Sequence, residues 1–285
     1  MVLIDLASAN RYKRSTRQPL LITYLFMTAD RPTISVAIIV KNEADRIARL
    51  LNSVGFADEI VVVDSGSSDD TVAVCENRGA RVIYHQWAGY VAQKQFAMQQ
   101  ATSEWILSLD ADEEISDALA EEIQYSLNAA ALDVCGFSMP RLSRYLGRWI
   151  RHGGWYPDRK VRLVRRGKAA WGGIDPHDKL EVDGKVVALS QPIFHYVYRS
   201  ISDQVATINS FSDIYAEQHG PAGNLFILAG AAHLIAKFLE CYLWKIGFLD
   251  GIPGFIIAVN SAWYVFLKHA KAWESRASSP DNSKP

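Results

Sequence analysis

The stretch Trp105–Glu114 constrains the fold of this chain most strongly, because an apolar run ends there in a cluster of acids. Trp105–Leu109 has the length of a buried strand, and four of the five residues that follow it are acidic. A strand that ends in acids delivers them to the ligand-binding edge of an open α/β sheet. Asp110 and Asp112 are two residues apart, so extended backbone points both carboxylates the same way, which suits Mg²⁺ or Mn²⁺. The alternative is an acidic loop that stabilises the next helix N-terminus.

Strands and helices alternate upstream of this stretch. β-Branched and apolar residues predict strands at Ile34–Val40, Glu59–Asp64 and Arg81–Tyr84. Segments with helical spacing or capping signals follow each of these strands and end before the fourth strand. This alternation predicts βαβ units, and therefore a Rossmann-like α/β fold with a mainly parallel sheet flanked by helices. Asp64 and Asp110 end the second and fourth strands, so we expect both at the same edge of the sheet.

Composition excludes several classes of protein. The chain has 285 residues and is 49% apolar, enough for one large domain or for a domain with an appendage. Its 30 Lys and Arg are balanced by 31 Asp and Glu, so no nucleic-acid partner is expected. The three cysteines, Cys75, Cys135 and Cys241, are far apart, which argues against a disulfide framework and against a zinc site.

The first 31 residues differ from the rest of the chain, and we interpret them as an N-terminal extension. Four basic residues between Arg11 and Arg17 precede the short apolar run Leu20–Met27. A secretory signal peptide would need a longer apolar core, followed by a small-residue cleavage site. We predict that residues 1–26 are dispensable, with Met27 as the candidate start. Loss of folding or activity on their deletion would contradict this.

Three motifs occur in a fixed order along residues 34–198. They are Ser35–Glu43, Val63–Thr71 and Leu109–Glu113. In this order they resemble the inverting glycosyltransferases of family 2, which have the GT-A fold. A narrower resemblance, to the lipopolysaccharide core β-1,4-glucosyltransferases, depends on the segments Gln93–Lys94, Leu107–Glu113, Trp155–Asp158 and Arg162–Leu163.

The resemblance implies a site for a nucleotide sugar. Asn42 and Glu43 end the first strand and would contact the nucleotide, and Asp64 would accept hydrogen bonds from the base or the ribose. Lys94 and Arg162 would neutralise the diphosphate. Structural alternatives exist for each. Asp64 could cap the following helix, Glu43 could be a first-turn helix acid, Lys94 could lie on a solvated helix face, and Arg162 could pair with nearby acids.

A general base must take a proton from the acceptor hydroxyl. The segment Ile174–Leu180 resembles a family segment that usually reads His-Glu. The resemblance makes Asp178 the base, with His177 beside it. Aspartate is shorter than the usual glutamate, and Asp175 and Asp158 remain rivals for this role.

The implied function is transfer of a hexose, with glucose favoured, from a UDP-sugar to a hydroxyl of a lipid-linked glycan such as the lipopolysaccharide inner core. A divalent cation, Mg²⁺ or Mn²⁺, would bind Asp112, with Asp110 orienting it. Direct displacement through an oxocarbenium-like transition state would invert the anomeric configuration. The alternatives are a nucleotidyltransferase on a related fold and a catalytically inactive protein that binds the membrane surface. The oligomeric state stays open, as do the exact donor and acceptor.

We expect three regions after the N-terminal extension. Residues 32–199 should form the GT-A catalytic domain, residues 200–274 a helical C-terminal region, and residues 275–285 a disordered tail. Ser200 and Asp203 form a capping box that begins the first helix of this region. Within the catalytic domain we further expect a helix at 116–127, a strand at 134–139, irregular structure at 141–166 and one or two strands in 186–198.

The C-terminal region is apolar and aromatic, which predicts attachment to a membrane. Gly223–Ala236 and Phe255–Leu267 carry no charged residue, and Gly251–Gly254 should break the chain between them. The thirteen residues of Phe255–Leu267 would span about 20 Å as a helix, short of the roughly 30 Å hydrocarbon core. Lysines and aromatic residues edge these segments, which favours peripheral helices in the membrane interface. The resemblance to lipopolysaccharide core enzymes implies the cytoplasmic face of the inner membrane. The alternative is a helical pair packed on the catalytic domain or in a dimer.

Overall fold

The computed structural model describes residues 31–174, 177–219 and 222–277. The N-terminal extension before Arg31 and the tail beyond Ala277 lie outside the described residues. In chain order the elements are β1 (Ile34–Val40), α1 (Ala44–Ser53), β2 (Glu59–Asp64), α2 (Thr71–Glu76), β3 (Arg81–Tyr84), α3 (Tyr90–Gln100), β4 (Trp105–Asp110), β5 (Glu113–Ile115), α4 (Asp117–Asn128), β6 (Val134–Tyr145), β7 (Arg148–Trp149), β8 (Asp158–Arg165), β9 (Ala169–Ile174), β10 (His177–Val182), β11 (Lys185–Ala188), β12 (Ile193–His195), α5 (Ile201–His219), α6 (Asn224–Leu239), a π-helical turn (Glu240–Trp244), a 3₁₀ turn (Gly247–Asp250) and α7 (Gly251–Ala277).

The main sheet has the strand order β3-β2-β1-β4-β8-β6-β12-β5. Its first four strands are parallel, as the alternation predicts, whereas β8 runs antiparallel to both of its neighbours. The sheet is therefore mixed: its N-terminal half is wholly parallel, whereas its C-terminal half combines antiparallel pairs with the parallel pairing of β6 with β11 and β12. In register, Val40 lies beside Asp64 and Ile39 beside Asp110. The ends of three strands are level, which confirms that Asp64 and Asp110 share one edge.

The structure corrects the prediction for residues 134–166. The strand β6 continues to Tyr145, and β8 occupies Asp158–Arg165, where irregular structure was expected. Leu163 and Val164 of β8 are buried in the sheet. Arginines interrupt the apolar pattern of this strand, and one of them, Arg162, is itself buried against acids. Such pairing depends on residues that are distant in sequence, so a local hydrophobic pattern cannot predict it.

Apolar side chains cover both faces of the parallel half of the sheet. Ile38 packs in one buried cluster with Leu50 of α1, and Ala37, on the opposite face, packs in a second cluster with Met98 of α3. Parallel sheets require this double covering, because their strands are buried on both sides. The helices thereby hold the strand ends rigidly at the edge where the acids lie.

Glu59 begins β2, at the opposite edge from the acids. Its carboxylate accepts hydrogen bonds from the Ser35 hydroxyl, from the Thr102 amide at 2.8 Å and from Arg81 at 2.8 Å. Although burial acts to raise the pKa of Glu59, these bonds lower it to about 2, from an ordinary value of 4.5. Because the folded-state pKa is depressed, the stabilisation is complete above pH 4.5 and is lost as the pH falls towards 2.

We therefore expect Glu59→Gln to lower the free energy of unfolding at pH 7 by about 1–2 kcal/mol, a range reduced for solvent screening of the Arg81 pair. The variant should also lose less stability than wild type between pH 4.5 and pH 2, in urea denaturation. Glu121→Gln, at an exposed position of α4, is the matched control. Equal pH dependence of the Glu59 variant and the wild type would contradict the assignment.

The C-terminal helices are longer than predicted. The helix α7 begins at Gly251 and runs for 27 residues to Ala277, through the Gly251–Gly254 segment that was expected to break the chain. Pro253 lies in the first turn, where a helix needs no backbone N–H donor from it. Two helical segments of the described chain, Asn224–Trp244 and Gly247–Ser275, are long and apolar enough to cross a membrane by length and composition. The prediction that the last helix is too short to span the hydrocarbon core is therefore wrong. The prediction that Ser275 lies in a disordered tail is also wrong, because it lies in α7.

The helix α7 packs on the α/β domain near its start and against α5 and α6 beyond it. Asp250, just before it, accepts hydrogen bonds from the backbone amides of Arg151 and His152. Further along, Ile257 is buried in a cluster with Tyr145. The residues from Thr33 onward thus form one compact unit.

Candidate active site

A cleft of about 670 Å³ opens at the edge where β1, β2 and β4 end. The helix α5 forms its opposite wall through Ser210, Phe211 and Ile214. The charged and titratable residues that line it are Lys41, Glu43, Lys94, Asp110, Asp112, Asp178 and His195. Four carboxylates, two lysines and an imidazole therefore face one cavity, although they come from five separate parts of the chain.

Asp110 ends β4 between two buried cations. The Lys94 ammonium lies 2.7 Å from its Oδ1, and the Arg162 guanidinium donates to its Oδ2. Arg162 also contacts Glu113 at 2.9 Å. Although burial alone would raise it, Arg162 and Lys94 hold the pKa of Asp110 well below its usual range. Because both of its oxygens are occupied, Asp110 is suited to fixing neighbouring groups rather than to binding a cation alone.

Asp112 lies beside a histidine that the sequence interpretation missed. His195 Nε2, at the end of β12, is 3.4 Å from Asp112 Oδ2, and Arg46 is also 3.4 Å from that oxygen. The other ring nitrogen of His195 hydrogen bonds to Ser143 Oγ at 2.9 Å. Such a bond to Nδ1 orients the imidazole and leaves Nε2 facing the cleft. The only signal for this role in the sequence was the residue type, since histidine is a common metal ligand.

Asp112 and His195 form a donor set that fits Mn²⁺ or Mg²⁺ in part. A carboxylate oxygen and an imidazole nitrogen are both ligands that Mn²⁺ takes, and these ions complete their shells with water and substrate phosphates. The described residues contain no cluster of three or more His, Cys, Asp and Glu that could hold a metal alone. A cation bound here would therefore depend on oxygen ligands from the substrate.

Asp178, the predicted base, lines the cleft on β10. Lys94 Nζ lies 2.8 Å from its Oδ2, so one buried ammonium bridges Asp178 and Asp110. Burial acts to lower the pKa of Lys94, but the two carboxylates raise it above its ordinary value. The lysine is therefore a charged component of the cleft, and the alternative of a solvated helix face does not hold.

The rivals for the base have different positions. Asp158 is held by Arg141 at 2.7 Å and by Lys160 at 3.1 Å, and it does not line the cleft. Asp175 lies outside the described residues, as does the side chain of His177. Among the described candidates, Asp178 is thus the carboxylate that faces the cavity.

The predicted nucleotide contacts divide into two groups. Asp64 accepts hydrogen bonds from the amides of Gly66 and Ser67, within its own turn and not at the helix N-terminus considered as the alternative. Asn42 accepts a hydrogen bond from the Ser68 amide of the same turn. Neither lines the cleft, although Ser65, next to Asp64, does. Glu43 does face the cleft, and burial raises the pKa of its carboxyl despite nearby arginines.

Arg162 differs from its predicted role. It is buried behind Asp110 and does not line the cleft, where a diphosphate would bind. Its guanidinium pairs with Asp110 and Glu113, the alternative considered from the sequence. Two aromatic residues, Trp87 and Tyr90, which the sequence interpretation did not single out, line the cleft instead and contact each other edge to face. Tyr90 begins α3, and Trp87 lies in the loop just before this helix.

Comparison with known proteins is consistent with this arrangement. Residues 35–178 match the family model described as glycosyl transferase family 2. An uncharacterized glycosyltransferase of Rickettsia felis is 36% identical, over 85% of this chain and 90% of the relative. The lipopolysaccharide core biosynthesis glycosyltransferase LpsC of Rhizobium meliloti is 29% identical, over 86% of this chain and 93% of the relative. These alignments confirm the predicted family resemblance.

One solved structure supports the fold. The mannosyltransferase PcManGT of Pyrobaculum calidifontis, in complex with GDP-Man and Mn²⁺, superposes with a TM-score of 0.51 at 15% identity. The superposition covers 86% of this chain and 88% of that chain. It confirms the α/β architecture of the GT-A type with flanking helices.

Proposed function

Because this chain belongs to glycosyltransferase family 2, we propose that it transfers a hexose, with glucose favoured, from a UDP-sugar to a hydroxyl of a lipid-linked glycan. The observation that carries the proposal is the cleft at the strand ends. There Asp110, Asp112 and Asp178 converge with Lys94 and His195. This arrangement contains the groups that the reaction needs: a base for the acceptor and positive charge for the leaving diphosphate.

At the donor end, Asp112 and His195 would hold a divalent cation, and Asp110, two residues before Asp112, would help to orient it. A bound Mn²⁺ or Mg²⁺ would supply charge neutralisation to the leaving diphosphate. The Pyrobaculum enzyme of the same fold was solved with a sugar nucleotide and Mn²⁺, which supports this assignment. Lys94 adds a fixed positive charge beside Asp110, where it can contact a phosphate oxygen.

At the acceptor end, Asp178 takes the proton as the hydroxyl oxygen attacks the anomeric carbon. The carbon–oxygen bond to the diphosphate breaks on the opposite side, so the product has inverted configuration. Lys94, 2.8 Å away, holds the Asp178 carboxylate in the cleft. No covalent intermediate with the protein is required.

The relationship to LpsC supports lipopolysaccharide core as the acceptor class. The family match argues against a nucleotidyltransferase, and the intact acids of the cleft argue against an inactive binding protein. Titration calorimetry with Mn²⁺ present, comparing UDP-glucose, UDP-galactose and UDP-N-acetylglucosamine with GDP-mannose, tests the donor. We expect a UDP-sugar to bind most tightly and to release UDP when core oligosaccharide is added. Preference for GDP-mannose would contradict the UDP assignment.

A peripheral position at the cytoplasmic membrane face is part of this proposal. Leu225 and Trp244 of the α6 segment are 82% and 87% exposed, and Ile252 of α7 is 76% exposed. Ile257 of α7 is buried against the α/β domain, and Asn260 and Lys271 hydrogen bond to α5, so lipid cannot surround this helix. A pair of helices that is apolar on one side and protein-packed on the other suits the membrane interface better than a crossing.

We expect the protein to sediment with membranes and to be released by detergent. Deletion of residues 223–285, the simplest test from the sequence, would remove α7 and expose Tyr145 and Ile150, which pack on it, so its effect on membrane binding would be ambiguous. The sharper test is the triple variant Leu228→Gln, Ile235→Gln and Trp244→Gln, all at exposed positions.

Each exposed apolar side chain contributes about 1.5–3 kcal/mol on full burial, so the triple variant should bind anionic liposomes at least 10²-fold more weakly. Leu132→Gln, at an exposed leucine of the α/β domain, should bind as the wild type does. Wild-type protein that remains in the high-speed supernatant and ignores liposomes would refute the peripheral position.

A further inference from the structure

A second, smaller cavity of about 170 Å³ lies between α5, α7 and the segment around Trp155. Phe211 lines both this cavity and the catalytic cleft, so the two share one wall. The predicted site does not use this cavity. Its volume is close to the roughly 150 Å³ that accommodates one six-membered ring in a protein interior.

The lining of this cavity is aromatic with an amide pair. Its aromatic side chains are Trp155, Tyr198, Phe211 and Tyr264. The amides are those of Gln204, which is only 3% exposed, and Asn260 of α7. Flat apolar surfaces beside a few placed polar groups are typical of sites for small polar organic ligands.

The hydrogen bonds of the amide pair leave one amide nitrogen and one amide oxygen without a protein partner. Gln204 Oε1 accepts from both Asn260 Nδ2 and the Tyr145 hydroxyl. Within the described part of the chain, Gln204 Nε2 and Asn260 Oδ1 have no other hydrogen-bond partner. These two amide atoms border the cavity and are free to bond to a ligand or to water.

We infer that this cavity binds one saccharide ring of the acceptor glycan. A sugar ring has apolar C–H faces that pack on aromatic side chains, and its adjacent hydroxyls offer both a donor and an acceptor to the free amide atoms. An acyl chain would use the aromatic walls but would leave both amides unsatisfied. The inference rests on the proposed glycosyltransferase function, since only that function calls for a glycan beside the cleft.

The position of the cavity fits an acceptor that is attached to a membrane. Asn260 and Tyr264 line the cavity, while Val259 and Trp263, one residue earlier in the same helix, are exposed on the apolar side. The cavity therefore lies between the proposed membrane surface and the catalytic cleft. A lipid-linked glycan could place its inner ring here and its reactive hydroxyl near Asp178.

Saturation-transfer NMR on the full-length protein in detergent tests this inference, without nucleotide or metal. The probes are methyl glycosides of hexoses and heptoses, with decanoate as the acyl probe. We expect at least one glycoside to bind. Its affinity should fall at least tenfold in Asn260→Leu and in Tyr264→Leu, and should stay unchanged in Glu274→Gln, at an exposed position of the same helix.

Two separate variants of the lining are used so that the test still works if one of them fails to fold. Thermal unfolding of each variant checks that its fold is intact. The inference is overturned if no glycoside binds, if binding survives both substitutions in folded protein, or if decanoate displaces the glycosides from the wild-type cavity. Because the probes need no donor, glycoside binding that depends on Asn260 would stand even if every UDP-sugar failed to bind. That last failure would count against the proposed function alone.

Discussion

Asp112→Ala should lower glycosyl transfer by about 10³-fold or more, and it should weaken UDP binding only when Mn²⁺ or Mg²⁺ is present. Asp112 has only longer contacts, of 3.4 Å to His195 and to Arg46, whereas Lys94 holds Asp110 and Asp178 at 2.7 and 2.8 Å, so Asp112 is better able than either to bind a cation. Without that cation, the negative charge that develops on the leaving diphosphate is poorly neutralised. Calorimetry of UDP binding, with and without metal, measures this directly.

His195→Ala should reproduce the metal-dependent part of this loss, because its Nε2 is the second protein ligand in our assignment. Asp133→Ala, which removes an exposed aspartate paired with Lys185, is the matched control and should change neither activity nor UDP affinity. Undiminished transfer by Asp112→Ala would remove the metal hypothesis. Equal loss of UDP binding with and without metal would instead indicate that Asp112 contacts the nucleotide itself.

The second large effect is expected for Asp178→Asn, which should reduce the rate of transfer by about 10²–10⁴-fold while leaving donor affinity nearly unchanged. The amide keeps the shape of the side chain but cannot accept a proton from the acceptor. Lys94 would lose one of its two carboxylates and keep Asp110, so the fold should survive. Transfer kinetics and UDP-sugar calorimetry on the same preparation separate catalysis from binding.

Asp158→Asn provides the matched control for this prediction. Asp158 is paired with Arg141 and Lys160 away from the cleft, so its substitution should leave the rate within a few fold of wild type. Asp175→Asn tests the candidate outside the described residues. If Asp175→Asn stops transfer while Asp178→Asn does not, the base is misassigned.

The predictions that held depend on short-range patterns. Apolar runs such as Ile34–Val40 and Trp105–Leu109 are long, bounded by polar turns and separated by helical segments. Parallel strands end at the same edge for purely geometric reasons. Position along the chain was therefore enough to bring Asp64 and Asp110 to one edge, and motif order was enough for the family.

The predictions that failed depend on which charged side chains form ion pairs in the folded protein. The sequence alone could not distinguish Lys94, which is buried against Asp110 and Asp178, from Arg162, which is buried behind the cleft. His195 lies 83 positions after Asp112, and only the pairing of β12 with β5 brings the two together. Ion pairs of this kind form between residues far apart in sequence, so no local period reveals them.

The amino-acid sequence by itself determined the α/β fold class, the edge at which the acids lie, and the apolar character of the C-terminal region. Only the tertiary structure decided that Asp112 lies beside His195, that Asp64 accepts hydrogen bonds within its own turn, and that α7 packs on the α/β domain near its start and on α5 and α6 beyond. The physical reason is one of range. Backbone propensity and hydrophobic period act over a few residues, whereas the position of a buried charge depends on every strand and helix packed around it.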